Sequence, residues 1–406
     1  MFSPQEIEKI FEMDRLAEED GRTYGKKRFL YTKLKELLKS KAFIGIGGLR
    51  GMGKTILLRQ LRTELKHSLY LSADSLASPV DMFELAKTLQ SRYGINYVLI
   101  DEIHYLPNWG QALKKIYDFL KVKVVFTSSA SIDIVRGKYD LSRRVVVVSL
   151  PPFSLREFVY FKRGAEAPVI SLDDILGNSG PLYKKLYSFE PDFAEFCQAG
   201  ALPSYLHSPQ PQTIQNVIRK VIDQDLRIIA KLDAQDILHI QDILRFIGRS
   251  NVEVCSYSSI ARNTGITRYK AQEYIRILES ASILKVLLPY GTNVTAEPKI
   301  LCTLPLRPYL AGSVEPERLL GATREEFFIQ HICTMNMEVN YLKSALGEKR
   351  PDYLIFHNGQ KLVFEIGGPG KRGGQLKGIK SERRFVLSQP AGNSGGIPLF
   401  LFGFLY

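Results

Sequence analysis

A glycine-rich octapeptide, GLRGMGKT, carries residues of the types and spacing needed to hold a phosphate chain. It fits the pattern G-x-x-x-x-G-K-[ST], in which glycines let the backbone turn so that its N–H groups face phosphate oxygens. Lys54 is predicted to bind the β- and γ-phosphates of a nucleotide, and Thr55 to bind Mg²⁺. The predicted nucleotide site consists of Gly48, Leu49, Arg50, Gly51, Met52, Gly53, Lys54 and Thr55.

The segments on either side of this loop support that interpretation. Ala42–Gly47 reads as a short buried strand and Ile56–Leu65 as an amphipathic helix, so the order is strand, loop and helix. A helix that begins near Lys54 directs the positive end of its dipole at the phosphates. The alternative is a glycine-rich turn before an ordinary helix, which matches this pattern in this context only rarely.

Two adjacent acids end a second apolar run, in the stretch YVLIDEIHYLPNW. In ATPases with such a phosphate-binding loop, an acid at the end of a buried strand holds Mg²⁺, often through water. An acid directly after it can act as the general base that polarises the attacking water. We therefore assign Asp101 to the metal and Glu102 to the water. Two solvated acids at a strand end are the alternative, which the upstream loop makes the weaker one.

Polar residues at the next two strands extend this predicted machinery. The strand Lys123–Thr127 ends in TSSAS, and a side chain within Thr127–Ser129 could lie near the γ-phosphate and the attacking water. Arg143 and Arg144 open the following strand, and an arginine facing the γ-phosphate, from the same or a neighbouring subunit, would stabilise the transition state. Strand-end hydrogen bonds are the alternative for the serines, and a solvated or salt-bridged edge is the alternative for the arginines.

The elements that must position these residues alternate along the first part of the chain, as in a parallel α/β sheet. The predicted strands are Phe43–Gly47, Ser68–Ser72, Tyr97–Ile100, Lys123–Thr127 and Arg144–Ser149, and the predicted helices between them include Pro79–Tyr93 and Gln111–Leu120. Pro151-Pro152 ends the last strand and marks a boundary. We expect four parts: an ATPase core at 1–152, a helical region at 153–245, a helix-and-strand unit at 246–312 and a mixed α/β domain at 313–406.

Composition limits the classes of protein to consider. The 406 residues suffice for two to four domains, and contents of 45% hydrophobic and 24% charged residues are ordinary for a soluble globular protein. Since no apolar run reaches the length of a membrane span and the N-terminus reads as an amphipathic helix, we expect a cytoplasmic protein. The four cysteines form no C-x-x-C pair, which favours buried free thiols. A net charge of +13 suits a nucleic acid partner, although a basic or heat-adapted surface explains it equally well.

The whole set of motifs resembles a family of prokaryotic AAA+-type ATPases. The segments that carry the resemblance are GLRGMGKT, YVLIDEIHYLPNW, KVVFTSSAS, LSRRVVVVSLPPFSLREF and QAGALPSYL. The resemblance covers nearly the whole chain and implies a P-loop NTPase parallel sheet that binds ATP and Mg²⁺, a winged-helix segment and a C-terminal domain of restriction-endonuclease-like fold. By the same resemblance, Ser129 and Arg144 match the family's serine and arginine, whereas Ser128 and Arg143 stand where the family usually has glycine.

The segment Tyr257–Leu278 reads as two short helices around a turn at Thr264-Gly265, with Thr267 capping the second helix, which is a helix-turn-helix arrangement. Ile283–Leu288 and Lys299–Thr303 could form the wing. If this unit docks on DNA, the side chains carried toward the groove or backbone are Arg268, Lys270, Gln272 and Arg276. Winged helices are also common structural connectors in ATPases, so direct DNA contact has a plain alternative.

A hairpin near the C-terminus places two acids opposite one another. Asn358-Gly359 between two apolar runs predicts a tight turn, in which His357 pairs with Gln360. Counting outward, Asp352 then lies opposite Glu365, with Cβ atoms about 5 Å apart. Two carboxylates this close repel each other unless a cation or a proton lies between them, and PD-(D/E)xK nucleases build a Mg²⁺ site in this way.

The match with such nucleases is incomplete. Gly367 stands where they carry a lysine, and the next lysine is Lys371, within a glycine-rich stretch. Glu325 or Glu326 could complete a metal site, and Arg350 could replace the lysine as a charge. A nuclease-like fold that binds or docks without cutting is the alternative to an active nuclease.

Two functions are compatible with the sequence. The first is a DNA-associated, Mg²⁺-dependent ATPase, in which hydrolysis at Glu102 drives rearrangement of the C-terminal parts. The second is a nucleotide-controlled switch that engages a protein partner, with the C-terminal region as a docking module. An arginine that acts across a subunit interface would require a homo-oligomer.

Overall fold

The computed structural model describes residues 3–76, 80–129, 141–291, 297–342, 351–368, 383–390 and 396–406. The chain forms two compact units. Unit 1 comprises Met1–Pro151 and Lys220–Leu232, and unit 2 comprises Pro152–Arg219 and Asp233–Tyr406. The chain leaves unit 1 at the Pro-Pro pair but returns to it for one short segment. The finer division into four parts stays a prediction.

Unit 1 is built on a parallel sheet of five strands in the order β2-β3-β4-β1-β5. Its strands are β1 (Phe43–Gly47), β2 (Ser68–Ser72), β3 (Tyr97–Asp101), β4 (Lys123–Ser128) and β5 (Val145–Ser149). The prediction of an α/β fold with these strands is confirmed, with β1 and β2 correct at both ends. Because helices cover both faces of such a sheet, its strands read as continuous apolar runs.

Two of the helices of unit 1, those that follow Ser3 and Asp81, begin after a side chain that accepts from N–H groups of the first turn. The helices are α1 (Pro4–Thr23), α2 (Leu30–Leu37), α3 (Lys54–Glu64), α4 (Met82–Tyr93) and α5 (Trp109–Phe119). Helix α4 starts later than predicted because the carboxylate of Asp81 accepts from the N–H groups of Phe83 and Glu84. Helix α5 packs onto the sheet through Trp109, whose ring centroid lies 5.8 Å from that of Phe126 on β4.

The returning segment of unit 1, Lys220–Leu232, consists of a π-helical stretch at Val221–Leu226 and a short α-helix at Arg227–Ala230. Its apolar side chains Val221 and Leu226 are buried. The segment also carries Asp225 into the interior, where the residue has 0% exposure. A buried carboxylate requires partners, and those partners belong to the candidate site.

Unit 2 is largely helical in its first part. Its helices are Leu155–Arg163, Leu172–Leu186, Asp192–Glu195, the π-helical Phe196–Gly200, Pro203–His207, Pro211–Lys220, Ala234–Arg249, Tyr257–Thr264, Arg268–Ser280, Leu306–Ala311 and Pro316–Thr334. The last residue of the helix Pro211–Lys220 already belongs to unit 1. A short antiparallel pair, β6 (Leu284–Leu287) and β7 (Lys299–Cys302), follows the helix Arg268–Ser280. None of the helices in the described ranges of the chain is long and apolar enough to cross a membrane.

The last part of unit 2 is a mixed sheet in the order β12-β11-β10-β9-β8. Its strands are β8 (Val339–Tyr341), β9 (Tyr353–His357), β10 (Gln360–Gly367), β11 (Arg383–Ser388) and β12 (Ile397–Pro398). Phe327 and Phe328 of the long helix Pro316–Thr334 are fully buried in the same core as Phe364 of β10. The mixed α/β character expected of the C-terminal part is therefore present. Its assignment as restriction-endonuclease-like stays a prediction.

The elements predicted around Thr264-Gly265 are also present. The helix Tyr257–Thr264 ends at Gly265, which has a φ of 72°. The side chain of Thr267 caps the next helix by accepting from the N–H of Lys270. The helix-turn-helix elements and the two strands after them thus lie where the sequence indicated, whereas the winged-helix assignment stays a prediction.

Candidate active site

The glycine-rich loop joins β1 to α3, and Gly48 and Gly53 show why it needs glycine. Gly48 has a φ of 152°, and a Cβ atom there would lie 2.4 Å from the carbonyl oxygen of Leu150. Gly53 has a φ of 87° and directly precedes the first residue of α3. Both conformations are ones that residues with a side chain rarely adopt. The loop therefore follows a tight path into the N-terminus of a helix, the arrangement that binds phosphate.

Arg28 fixes the backbone of this loop. Its guanidinium donates from Nη1 to the carbonyl oxygen of Met52 at 2.7 Å and from Nη2 to that of Pro151 at 2.9 Å. Arg28 is buried, so these two bonds form away from bulk water, where they hold the loop most firmly. Nothing in the local sequence around Arg28 indicated this role.

Lys54 lies inside the loop. Its Nζ donates to the carbonyl oxygens of Gly48 at 2.9 Å and Leu49 at 3.2 Å, and it is 3.8 Å from Oε1 of Glu102. The side chain is buried, so its charge acts at short range in a medium of low polarity. The structure thus brings together the predicted phosphate-binding lysine and the predicted general base.

Thr55 and Asp101, the two predicted Mg²⁺ ligands of this site, are in direct contact. Thr55 Oγ1 donates to Asp101 Oδ2 at 2.7 Å. Asp101 also accepts from the hydroxyl of Tyr70 at 3.1 Å and from that of Thr127. Burial and the neighbouring charge of Glu102 raise the pKa of Asp101. Because Mg²⁺ takes one or two protein oxygens and completes its shell with phosphate and water, this donor set fits it.

Glu102 follows β3 in a left-handed backbone conformation, with φ 49° and ψ 53°. Its N–H donates to Thr127 Oγ1 at 2.9 Å, and its Oε2 accepts from the N–H of Ser129 at 3.0 Å. Strained conformations of this kind cost about 1–3 kcal/mol and are typical of functional sites. Burial acts to raise the pKa of Glu102. The charge of Lys54, together with His104, Arg50 and the hydrogen bond from the Ser129 N–H, outweighs burial, so that the pKa is lowered. Glu102 is therefore ionised at neutral pH and can accept a proton.

Ser129 lies beside Glu102, the predicted general base. Its N–H binds the Glu102 carboxylate, and its Oγ donates to Asp225 Oδ2 at 2.6 Å. The adjacent Ser128 contacts His104 instead, with 3.2 Å between Oγ and Nδ1. Burial lowers the pKa of His104, so its ring is neutral at pH 7. A catalytic role for Ser129 itself stays a prediction.

Asp225 is a second residue of the site that the sequence did not reveal. Its Oδ2 accepts from Ser129 and lies 3.4 Å from Nε of Arg50 in the phosphate loop. Its Oδ1 is 3.4 Å from the hydroxyl of Tyr105 and 3.9 Å from Nε2 of His104. Asp225 and Arg50 are 175 positions apart, and no local pattern predicts that a helical segment so far downstream returns to this sheet.

The structure does not bring Arg144 to the loop of its own chain. Phe43 pairs with Val145 in register, so Arg144 lies at the amino end of the strands, whereas the loop follows their carboxyl ends. Arg144 donates from Nε and Nη2 to the carboxylate of Asp118 at 3.0 and 3.1 Å. The alternative of a salt-bridged edge thus describes its surroundings. A role in a neighbouring subunit's site stays a prediction.

The hairpin in unit 2 has the predicted turn and register. Gln360 pairs with His357, and the ladder continues to Phe364 and Tyr353. Beyond that pair, Asp352 departs from the predicted position opposite Glu365, because its N–H donates to the carbonyl oxygen of Phe364 at 3.0 Å. Its Oδ2 accepts from the N–H of Ile366 at 2.7 Å. The carboxylate that the sequence assigned to a metal is therefore engaged by backbone.

The two upstream acids have different environments. Glu326 and Arg307 are both fully buried, and Oε1 of Glu326 lies 2.7 Å from Nη2 of Arg307. This ion pair gives Glu326 a structural role. Glu325 accepts from the hydroxyl of Tyr353 and lies 3.8 Å from Nζ of Lys299. Burial raises the pKa of Glu325 to about 7, and the charge of Asp352 adds to the shift.

Within the ranges that the structure describes, no three His, Cys, Asp or Glu residues are grouped so as to hold a metal ion. Glu365 is buried. Lys371 and Arg350, the candidate nuclease cations, lie outside the described residues. A metal site at Asp352 and Glu365 therefore stays a prediction.

Two of the four side chains expected to face DNA pair with acids of their own unit. Arg268 Nε lies 2.9 Å from the carboxylate of Glu297, and Lys270 Nζ lies 3.3 Å from that of Glu273. Arg276 is exposed and Gln272 is partly exposed. DNA contact by this helix stays a prediction.

Comparisons with known proteins agree with the geometry of unit 1. Residues 40–159 match the family model of the AAA domain, and residues 190–303 match that of a domain of unknown function. The chain is 28% identical to an uncharacterized protein of Methanocaldococcus jannaschii over 90% of this chain and 84% of that protein. It is 22% identical to an uncharacterized protein of Haemophilus influenzae, over 58% of this chain and 60% of that protein. The AAA match and the site geometry support an AAA-type P-loop ATPase domain in unit 1.

Solved structures with partial similarity include a RuvB variant of Thermotoga maritima and the Hsp104–ADP complex of S. cerevisiae. The RuvB chain is 16% identical, with coverage of 76% of this chain and 95% of that chain and a TM-score of 0.30. The Hsp104 chain is also 16% identical, with coverage of 65% of this chain and 41% of that chain and a TM-score of 0.32.

Proposed function

We propose that this protein is a Mg²⁺-dependent ATPase of AAA type. The observation that carries the proposal is the 2.7 Å hydrogen bond between Thr55 Oγ1 and Asp101 Oδ2. It joins the phosphate loop to the acid that ends β3, so the two oxygen ligands expected for the metal meet at one point. Lys54 and Glu102 lie directly beside these ligands, with 3.8 Å between Nζ of Lys54 and Oε1 of Glu102.

Binding of ATP would use the loop and the start of α3. The N–H groups of Gly48–Gly53 and the positive end of the helix would face the phosphates, and Lys54 would neutralise charge on the β- and γ-phosphates. Thr55 and Asp101 would hold Mg²⁺, which when bound neutralises phosphate oxygens during transfer. Arg28 keeps the loop in this shape through its bond to Met52.

Hydrolysis would proceed by attack of one water molecule on the γ-phosphorus. Glu102 accepts a proton from that water while the water oxygen forms a bond to phosphorus. The bond from phosphorus to the β–γ bridging oxygen breaks, and its electron pair remains on ADP; the other product is inorganic phosphate. The lowered pKa of Glu102 favours the ionised form that this step requires.

DNA is the partner that we propose for this ATPase. The net charge of +13 and the exposed Arg276 on the helix Arg268–Ser280 support a polyanionic partner. The pairing of Arg268 and Lys270 with acids of the same unit favours the other candidate, a nucleotide-controlled switch that engages a protein. The two candidates differ in whether DNA changes the rate of hydrolysis.

The experiment is steady-state ATP hydrolysis in Mg²⁺ at fixed moderate salt, with and without single-stranded, duplex and branched DNA. Wild-type protein is compared with Lys54→Ala and with Lys33→Ala, which removes an exposed lysine outside the site. The proposal expects hydrolysis that Lys54→Ala abolishes and Lys33→Ala retains. Stimulation by one form of DNA supports DNA coupling, and indifference to every form favours the protein-partner switch. A wild-type protein that does not hydrolyse ATP under any of these conditions overturns the ATPase proposal.

A further inference from the structure

We propose that Arg50 stabilises the transition state of ATP hydrolysis from within the same chain, and that Asp225 is the residue that positions it. The inference rests on the proposed ATPase function and deepens it. Phosphoryl transfer commonly uses an arginine to neutralise charge that develops as the terminal phosphate leaves. Arg144, the arginine that the sequence offered for this role, lies at the opposite end of the sheet from the loop of its own chain.

Arg50 lies within the phosphate loop itself, two residues after Gly48 and four before Lys54. Its side chain is only 22% exposed, and its Nε lies 3.4 Å from Asp225 Oδ2. The contact with Asp225 uses Nε and neither Nη group, so both Nη groups can donate to phosphate oxygens. The planar guanidinium can donate two parallel hydrogen bonds to a phosphate while Nε stays on the carboxylate.

A continuous set of contacts connects Arg50 to the general base. Asp225 Oδ2 binds both Arg50 Nε and Ser129 Oγ, the second at 2.6 Å. The N–H of Ser129 in turn donates to Glu102 Oε2 at 3.0 Å. The attacking water must lie within hydrogen-bond reach of Glu102. Arg50 is therefore held on the side of the site where the γ-phosphate and the water meet.

Asp225 is well suited to position an arginine and poorly suited to stabilise the fold by itself. It is completely buried, and desolvation makes a buried carboxylate unfavourable unless partners compensate its charge. Its partners are the guanidinium of Arg50 and the hydroxyls of Ser129 and Tyr105, and Nε2 of His104 lies 3.9 Å from its Oδ1. The segment that presents it, Lys220–Leu232, is preceded and followed in the chain by unit 2. The orientation of Arg50 thus depends on the correct seating of this segment in unit 1.

The test uses the full-length protein and compares Arg50→Ala, Arg50→Lys, Asp225→Asn and the double variant Arg50→Ala/Asp225→Asn. Matched controls are Arg92→Ala, an exposed arginine of α4, and Asp223→Asn, an exposed acid of the same segment as Asp225. The double variant removes both charges together, so it remains informative where a single change leaves an unpaired buried charge. The readouts are kcat and KM for ATP, together with the affinity for Mg²⁺–ADP and for Mg²⁺–ADP–aluminium fluoride, a mimic of the transition state.

We expect Arg50→Ala to lower kcat by about 10³-fold, within the range that such arginines contribute, with little rescue in Arg50→Lys. Affinity for Mg²⁺–ADP should change little, whereas affinity for the transition-state mimic should fall in parallel with kcat. Asp225→Asn should lower kcat at nearly constant KM, and the double variant should be no worse than Arg50→Ala because both changes remove one function.

Three results would overturn the inference. They are a kcat of Arg50→Ala within about threefold of wild type, an equal loss of affinity for Mg²⁺–ADP and the mimic, and effects of the two substitutions that add fully. If any of these occurs while Lys54→Ala is inactive and wild type is active, the inference fails and the ATPase function remains. If wild type itself shows no hydrolysis, the ATPase function fails, and the inference fails with it.

Discussion

The ammonium group of Lys54 lies 3.8 Å from the carboxylate of Glu102, and both side chains are buried. One cation thus serves two predicted roles: it is positioned for the phosphates, and it keeps the base ionised by lowering the pKa of Glu102. The contact also shows that the loop after β1 and the acids after β3 form one site.

The hydroxyl of Thr55 is predicted to be needed for the metal. Thr55→Ala removes the donor to Asp101 Oδ2 and a Mg²⁺ ligand, so the Mg²⁺ concentration for half-maximal hydrolysis should rise by about tenfold or more. Thr55→Ser keeps the hydroxyl and should remain close to wild type. The measurement is a Mg²⁺ titration of ATP hydrolysis. An unchanged titration in Thr55→Ala would contradict the assignment.

Mg²⁺ binding is predicted to weaken as the pH falls. Burial and the charge of Glu102 raise the pKa of Asp101, so a proton competes with the metal for its carboxylate. Lowering the pH through that raised pKa should therefore increase the Mg²⁺ concentration needed for ATP binding. Equilibrium binding of ATP at several Mg²⁺ concentrations, repeated over a series of decreasing pH values, measures this. Asp101→Asn should bind Mg²⁺ weakly at every pH, and a wild type whose Mg²⁺ requirement is the same at both ends of the range refutes the prediction.

Gly48→Ala is predicted to destabilise unit 1. The added Cβ would lie 2.4 Å from the carbonyl oxygen of Leu150, at a φ of 152°, so the loop must move. The expected loss is about 2 kcal/mol or more in the free energy of unfolding, with loss of ATP binding. Gly25→Ala is the control, because a Cβ there meets nothing within 4 Å. Chemical denaturation of both variants decides the point, and equal stability of the two would count against the loop geometry.

Glu325→Gln is predicted to stabilise unit 2 more at high pH than at low pH. Burial raises the pKa of Glu325 to about 7, so its protonated form is the one that favours the folded state. That stability is fully present below the ordinary glutamate pKa and is lost as the pH rises to about 7. Relative to wild type, the variant should therefore gain about 2–3 kcal/mol between about pH 5 and about pH 8. Denaturation at both pH values measures the gain, with the exposed Glu338→Gln as control; a difference that does not change with pH would refute the shift.

Local patterns in the sequence were enough for the elements that carry the site. The apolar runs of β1 and β2 have the predicted ends, and the turn at Asn358-Gly359 has the predicted pairing of His357 with Gln360. These features depend on short-range patterns: continuous apolar runs, the tight Asn-Gly turn and the glycine-rich loop. The sequence assigned Thr55 and Asp101 separately to Mg²⁺, and the structure adds that they are in contact at the carboxyl edge of the parallel sheet.

Long-range placement was harder to predict. The sequence predicts an arginine at the γ-phosphate, but Arg144 opens a parallel strand and therefore lies at the edge opposite the loop of its own chain, paired with Asp118. No local pattern predicts a place for Asp225 in the site, because its contacts form only when Lys220–Leu232 returns to unit 1. Asp352 was displaced from its expected pairing because its backbone and carboxylate bind Phe364 and Ile366. Such contacts depend on tertiary structure and leave no periodic pattern in the chain.

The most direct test of the account separates ATP binding from ATP hydrolysis at Glu102. Glu102→Gln keeps the shape of the side chain but cannot accept the water's proton, so it should bind Mg²⁺–ATP as tightly as wild type and hydrolyse it at least about 100-fold more slowly. Glu12→Gln, at an exposed position of α1, should retain both properties. Binding is measured at equilibrium and hydrolysis by phosphate release. Hydrolysis by Glu102→Gln within about threefold of wild type would contradict the assignment of Glu102 as the base.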